Sequence, residues 1–203
     1  MPTPLNASAS TAGALFSNST FEIPQFQREY SWQEEEVEEF WTDLQKNIDT
    51  DTYFLGLIIL TEEGEQRKHV VDGQQRIVTL TLLATALFYE AKKRERSALA
   101  DRIQADFLRS IDYDTDETNP RVRLSDTTDD QTLQIILDTG QISPNIDHNQ
   151  AISKRINETY TYLRKHLDSD LRQDPFKRLG KWTEFLTNKV YFAVFIHPDP
   201  ASA

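Results

Sequence analysis

An α+β fold, a small mixed sheet with flanking helices and a mostly helical second half, is predicted by three observations. Two short apolar runs rich in aromatic and β-branched residues, Tyr53 to Leu60 and His69 to Val71, flank the polar stretch Thr61 to Lys68 with its Gly64, the pattern of a hairpin. A third such run, Lys189 to Ile196, lies far along the chain before His197-Pro198, as expected of a strand that returns to the same sheet. Elsewhere apolar residues recur at three- and four-residue steps, the period of a helix with one buried face.

Residues 1 to about 10 are rich in Pro, Ser, Thr and Ala and read as a loose tail ahead of a short helix carrying Leu15 and Phe16. From Gln33 to Ile48 the positions Val37, Phe40, Trp41, Leu44 and Ile48 define one helical face. Ser31 with Glu34 offers a capping box at its start, and the acids Glu34, Glu35 and Glu36 suit the positive end of the helix dipole. After the hairpin, Ile77, Leu80, Ala84, Leu87 and Ala91 mark a longer helix that closes on the basic cluster Lys92 to Arg96. Further helices are predicted around Ile103 to Ile111, Thr132 to Leu137, Ile152 to Leu167 and Phe176 to Leu186. The expected organisation is a flexible tail over 1–14, a motif-bearing core over 15–96, a helical region packed on it over 97–188, and the returning strand over 189–203.

Composition excludes several chemistries. With 203 residues the chain can bury a core of its own. It has no cysteine, which removes disulfides, thiolate metal sites and thiol nucleophiles. Its four histidines are scattered without zinc-ligand spacing, and neither a GxxxxGKS/T loop nor a GxSxG elbow occurs. No apolar run is long enough to span a bilayer, and a cytoplasmic, soluble protein is expected. The net charge of −11 opposes general affinity for duplex DNA, although a local basic groove is compatible with it. The acidic runs, Asp112 to Asp116 and Asp129-Asp130 among them, read as solvated faces.

The most informative stretch is Val70-Val71-Asp72-Gly73-Gln74-Gln75-Arg76. A strand ending at Val71 and a helix opening near Asp72 would aim free backbone N–H groups and the positive dipole end at one spot, with Arg76 able to close on an anion such as phosphate. The alternative is a capping box in which Asp72 and Gln75 satisfy those N–H groups and nothing binds. A second segment, Ile23-Pro24-Gln25-Phe26-Gln27-Arg28-Glu29-Tyr30-Ser31-Trp32, gathers hydrogen-bonding and aromatic side chains in a connection between elements, where binding residues concentrate.

Together the two segments resemble the N-terminal domain of the GmrSD-type modification-dependent restriction enzymes. That family's pattern runs IPxYQRxYxW, an aromatic-x-Gly strand, and DGQQR ahead of a leucine-rich helix. Here these are IPQFQREYSW, Phe54-Leu55-Gly56, and Asp72 to Arg76 followed by Thr79-Leu80. Phe26 replaces the usual tyrosine and Glu29 a common proline, and neither change touches Arg28, Tyr30, Asp72 or Arg76. The family's last strand is followed by a segment reading FxxxNxRGxxL, and this chain stops at Ala203 before it. An excised domain or split product is therefore expected, with the HNH nuclease elsewhere.

The resemblance implies a ParB/sulfiredoxin-like fold, nucleoside triphosphate (GTP or ATP) hydrolysis and sensing of modified phage DNA in an anti-phage restriction system. It implies that Asp72, Arg76 and Arg28 are catalytic and that Gln27, Arg28, Gly56, Gly73, Gln74, Gln75 and Arg76 bind nucleotide. In chemical terms the arginines would hold phosphate oxygens bidentately, and Asp72 would orient a hydrated Mg2+ ion or the attacking water. Tyr30 and Trp32 would sense DNA by stacking on a base, and core packing competes for both. Arg28 has its own alternative, a buried ion pair with Asp72 or a helix acid that would hold the two motifs together without catalysis. DNA and an HNH nuclease module or separate nuclease subunit are the expected partners, and self-association stays open. Two further readings remain, a non-catalytic module binding DNA phosphate or a partner protein, and a ParB-like DNA nuclease.

Overall fold

The computed structural model describes residues 6–25, 32–62, 67–144, 146–147 and 149–198. The hairpin expected from the sequence is present: β3 (Tyr53–Glu62) pairs antiparallel with β4 (Lys68–Asp72). The other strands are β1 (Asn6–Thr11), β2 (Phe21–Ile23), β5 (Arg109–Ile111), β6 (Thr118–Pro120), β7 (Val122–Leu124) and β8 (Val190–Pro198). They build a six-stranded mixed sheet in the order β1-β8-β3-β4-β2-β7, plus a small β5-β6 hairpin. The returning strand β8 runs parallel to β3, which a long crossover through the helical half makes possible.

The helices are α1 (Ala12–Ser17), α2 (Glu34–Asn47), α3 (Gln74–Lys93), α4 (Ser97–Ile103), α5 (Thr127–Thr139), α6 (Ala151–Asp170) and α7 (Pro175–Glu184). In α2 every apolar position picked out by spacing is buried, and Trp41 stacks on Trp182 of α7 with centroids 4.9 Å apart. In α6, Ile156, Tyr160, Leu163 and Leu167 are buried as their spacing predicts, while Ile152 is half-buried. Helix α3 goes beyond its expected stripe: every residue from Ile77 to Phe88 is buried, because α4, α5, α6 and α7 surround it. Its inward threonines Thr81 and Thr85 return their hydroxyls to carbonyls one turn back, which satisfies them without a partner helix. Among the described residues no helix is long and apolar enough to cross a membrane.

Four expectations are corrected. Residues 6–11 are a strand, not a loose tail, because backbone pairing with β8 holds the polar sequence at the sheet edge. The helix predicted over Ile103 to Ile111 ends in a π-helical turn, Gln104–Leu108, after which Arg109–Ile111 pairs as β5. The region expected to be helical, 97–188, therefore holds the three strands β5, β6 and β7 as well as helices, and β7 completes the main sheet beside β2. Helix α2 takes Gln33 as its cap residue and starts at Glu34 without a capping side chain; Ser31, the other half of the expected capping box, lies outside the described residues.

The fourth concerns charge. Asp129 and Asp130 are buried, each 8% exposed, rather than part of a solvated run. Asp130 accepts from the Leu124 N–H and pairs with Arg123 at 2.8 Å, which ties α5 to β7. Asp129 accepts from the Ser153 hydroxyl at 2.7 Å, and burial pushes its carboxyl above the ordinary aspartate range. A carboxyl raised in the fold contributes its stability below the unfolded-state value and loses it as pH rises through the folded-state one. Asp129→Asn should therefore raise the melting temperature at pH 7, an advantage that shrinks as the pH falls towards 4. Thermal melts of both proteins across that range check this, and an equal gain at every pH would contradict it.

Candidate functional site

The β4-α3 turn is shaped by two glycines. Gly73 has φ +90° and is the N-cap of α3, so the strand turns into the helix through a left-handed residue. A Cβ on it would stand 2.4 Å from Ile58 Cδ1 and 2.9 Å from the Leu57 carbonyl oxygen, so the turn lies flush against β3. Gly56 has φ +156° and lies at an irregularity in the pairing of β3 with β8. A Cβ there would come within 2.7 Å of Arg76 Nε and 2.9 Å of Arg76 Cζ. The bare backbone at Gly56 thus makes the bed on which the Arg76 guanidinium lies.

This geometry removes one of the two readings of the turn. The capping box is absent: Asp72 Oδ1 accepts from the adjacent Gly73 N–H at 2.9 Å, and no side chain caps α3. The first backbone bond of the helix runs from Ile77 N–H to the Gly73 carbonyl, which leaves the N–H groups of Gln74, Gln75 and Arg76 without a side-chain acceptor among the described residues. Gln74 spends its amide on the Val70 carbonyl at 3.0 Å, a brace for the turn rather than a free ligand. Gln75 and Arg76 are half-buried, and among the described residues neither side chain has a hydrogen-bond or ion-pair partner. A partly desolvated guanidinium without an acid, at an uncapped helix N-terminus, can hold an anion.

Asp72 is exposed and pairs across the sheet with Ile59, and a bulge leaves Val71 exposed beside it. It makes no ion pair with Arg76. The structure therefore brings Gly56, Gly73 and Arg76 together and sets Asp72 at the outer rim. Gln27, Arg28 and Tyr30 lie outside the described residues. No group of three or more His, Asp or Glu residues that could hold a metal occurs among the described residues. Asp72, with one oxygen engaged by Gly73, leaves one oxygen for a cation, so Mg2+ would take most of its ligands from phosphate and water.

Trp32 is half-buried and packs edge-on against Phe40 of α2, with centroids 5.5 Å apart. It also lines a cavity of about 640 Å3 with Tyr162, Asn157, Lys154, Arg155 and Lys165 of α6. Sequence reasoning passed over these α6 residues. The one available signal was Asn157, a polar residue next to Ile156 on the inward side of the helix; the cations look like any solvated face.

The fold is a mixed-sheet domain whose glycine-built strand-to-helix turn presents Arg76, which has no hydrogen-bond or ion-pair partner among the described residues. The chain belongs to the GmrSD restriction endonuclease N-terminal domain family, whose model matches residues 12–202, and is thus a domain of a modification-dependent restriction system. No curated protein matches it.

Proposed function

We propose that this domain binds and hydrolyses a nucleoside triphosphate, GTP or ATP, at the turn from Asp72 to Arg76, and that the nucleotide state governs recognition of modified phage DNA and a nuclease module. The observation that carries this reading is Arg76, laid on Gly56 at the open N-terminus of α3 without an acidic partner among the described residues. The β- and γ-phosphates take the N–H groups of Gln75 and Arg76 together with the guanidinium, and Gly73 lets the backbone approach them. Arg28 and Gln27, on the other motif segment, add further donors. Asp72 and a triphosphate repel each other unless a divalent cation lies between them, which gives Mg2+ a place and a reason. The ion would neutralise charge on the transferred group, and the remaining oxygen of Asp72 would orient it or the attacking water.

Phosphate release from GTP and ATP with Mg2+ tests the assignment. Arg76→Ala is expected to lower turnover about a hundredfold, the usual scale for losing one preorganised charge donor at a developing oxyanion. Turnover and nucleotide affinity unchanged in that variant would sink it. A second reading, a non-catalytic module that binds DNA phosphate or a partner protein through the same pocket, is favoured by the single acid at the turn. Nucleotide binding without turnover, combined with a salt-dependent gel shift that prefers modified duplex, would select it.

A further inference from the structure

We propose that the cleft between the C-terminal end of α3 and α6 holds the phosphate backbone of DNA and supplies affinity without reading bases, an assignment that rests on the reading above for the choice of DNA among polyanions. The cleft has a volume of about 470 Å3. Lys93 of α3 and Arg164 and Lys165 of α6 line it and are exposed. Tyr160, the aromatic ring in its wall, is 1% exposed and its hydroxyl donates to the Gly140 carbonyl at 2.8 Å, so no ring face is offered to a base.

The charge does not cancel. The two acids that line the cleft, Glu90 and Asp168, each already have a guanidinium, Arg94 at 3.2 Å and Arg172 at 3.4 Å. Those arginines bring the local set to five cations around two acids. Part of that charge has a local use. Arg164 gives one N–H to the Gly140 carbonyl at 3.3 Å, where the negative end of the α5 dipole opens, and Lys93 stands in the last turn of α3, whose dipole Lys92 also offsets. Each dipole end amounts to about half a charge, so a surplus remains. Lys165 serves neither an acid nor a helix end among the described residues. In a chain of net charge −11 this surplus makes a local landing place for a polyanion. Exposed cations spread over two helices suit an extended phosphate backbone lying across the mouth, whereas a small anion held inside would need buried donors. Contacts of this kind position a duplex and carry no sequence information. The Arg76 turn lies at the other end of α3, about 25 Å away along the helix, so the two sites are separate.

Fluorescence anisotropy with a labelled duplex of about 20 base pairs, carrying cytosine or 5-methylcytosine, between about 50 and 200 mM salt tests this. Lys93→Gln and Lys165→Gln should each weaken both duplexes by the same factor, about threefold or more, and each should flatten the slope of log affinity against log salt by about one unit. Arg76→Ala and Lys177→Gln, the latter an exposed lysine of α7 outside the cleft, should change neither. No duplex binding, full affinity and slope in the two cleft variants, an equal loss in Arg76→Ala or Lys177→Gln, or a loss confined to one of the two duplexes would overturn the proposal. Poly-glutamate bound as tightly as DNA would assign an acidic protein instead, and tripolyphosphate bound as tightly a small anion; either would overturn it too. Nucleotide turnover at the Asp72–Arg76 turn is read separately and stands or falls on its own.

Discussion

Replacing Asp170 with alanine should lower the unfolding free energy by about 3–5 kcal/mol, the cost of breaking a buried charge pair by removing one partner. Asp170 is the last residue of α6, and its side chain is only 8% exposed. Both its oxygens are engaged: Arg178 donates from Nε and Nη2 at 3.1 Å each, Gln45 of α2 donates at 2.7 Å, and the Trp182 indole N–H donates at 2.7 Å. One carboxylate therefore holds three helices, and its removal strands a guanidinium, an amide and an indole in a region where water cannot fully replace it. Trp182 also stacks on Trp41, so the loss loosens the seat of α2, the helix that Trp32 leads into. Urea denaturation of both proteins measures the effect, and a loss below about 1 kcal/mol, the scale of an exposed pair, would show that the hub is ornamental.

Gly73→Ala should cost about 3 kcal/mol and, on the proposed function, remove nucleotide turnover with it. The alanine would have to adopt φ near +90°, a region that penalises a Cβ by about 1–2 kcal/mol. Its Cβ would also meet the Ile58 methyl at 2.4 Å and a backbone oxygen at 2.9 Å, adding a clash of about 1–3 kcal/mol. Relief requires the start of α3 to lift off β3, which carries Arg76 away from Gly56. Gly180 provides the contrast. It lies inside α7, where a Cβ would meet only the far end of Arg96 at 3.8 Å, so Gly180→Ala should stabilise the protein by about 0.5–1 kcal/mol through helix propensity. Denaturation midpoints of the two variants should move in opposite directions; a shift of the same sign would show that backbone freedom, rather than the site's geometry, governs both.

Much of the frame was legible in the chain itself. Spacing located α2 and α6 and the residues they bury, and the paired apolar runs located the β3-β4 hairpin and β8. The DGQQR turn was legible as a strand-to-helix junction, yet which residue caps it was not. Asp72 and Gly73 both suit a helix start, and the contact with Ile58 and Leu57, residues of another strand, gives the cap to glycine. Likewise the acidity of Asp129 and Asp130 reads as surface until β7 and α6 bring Leu124, Arg123 and Ser153 to them.

By itself, then, the sequence determined the periodic elements, the family and the turn that carries Arg76, because a periodic pattern records how one segment meets the core and a motif records local backbone need. Only the tertiary structure decided that the polar segment Asn6–Thr11 is an edge strand, that three-residue strands complete the sheet, and that Trp32 shares a cavity with Asn157. Those features rest on partners distant in the chain, and a pairing won by closing a long loop leaves no period in the residues that make it.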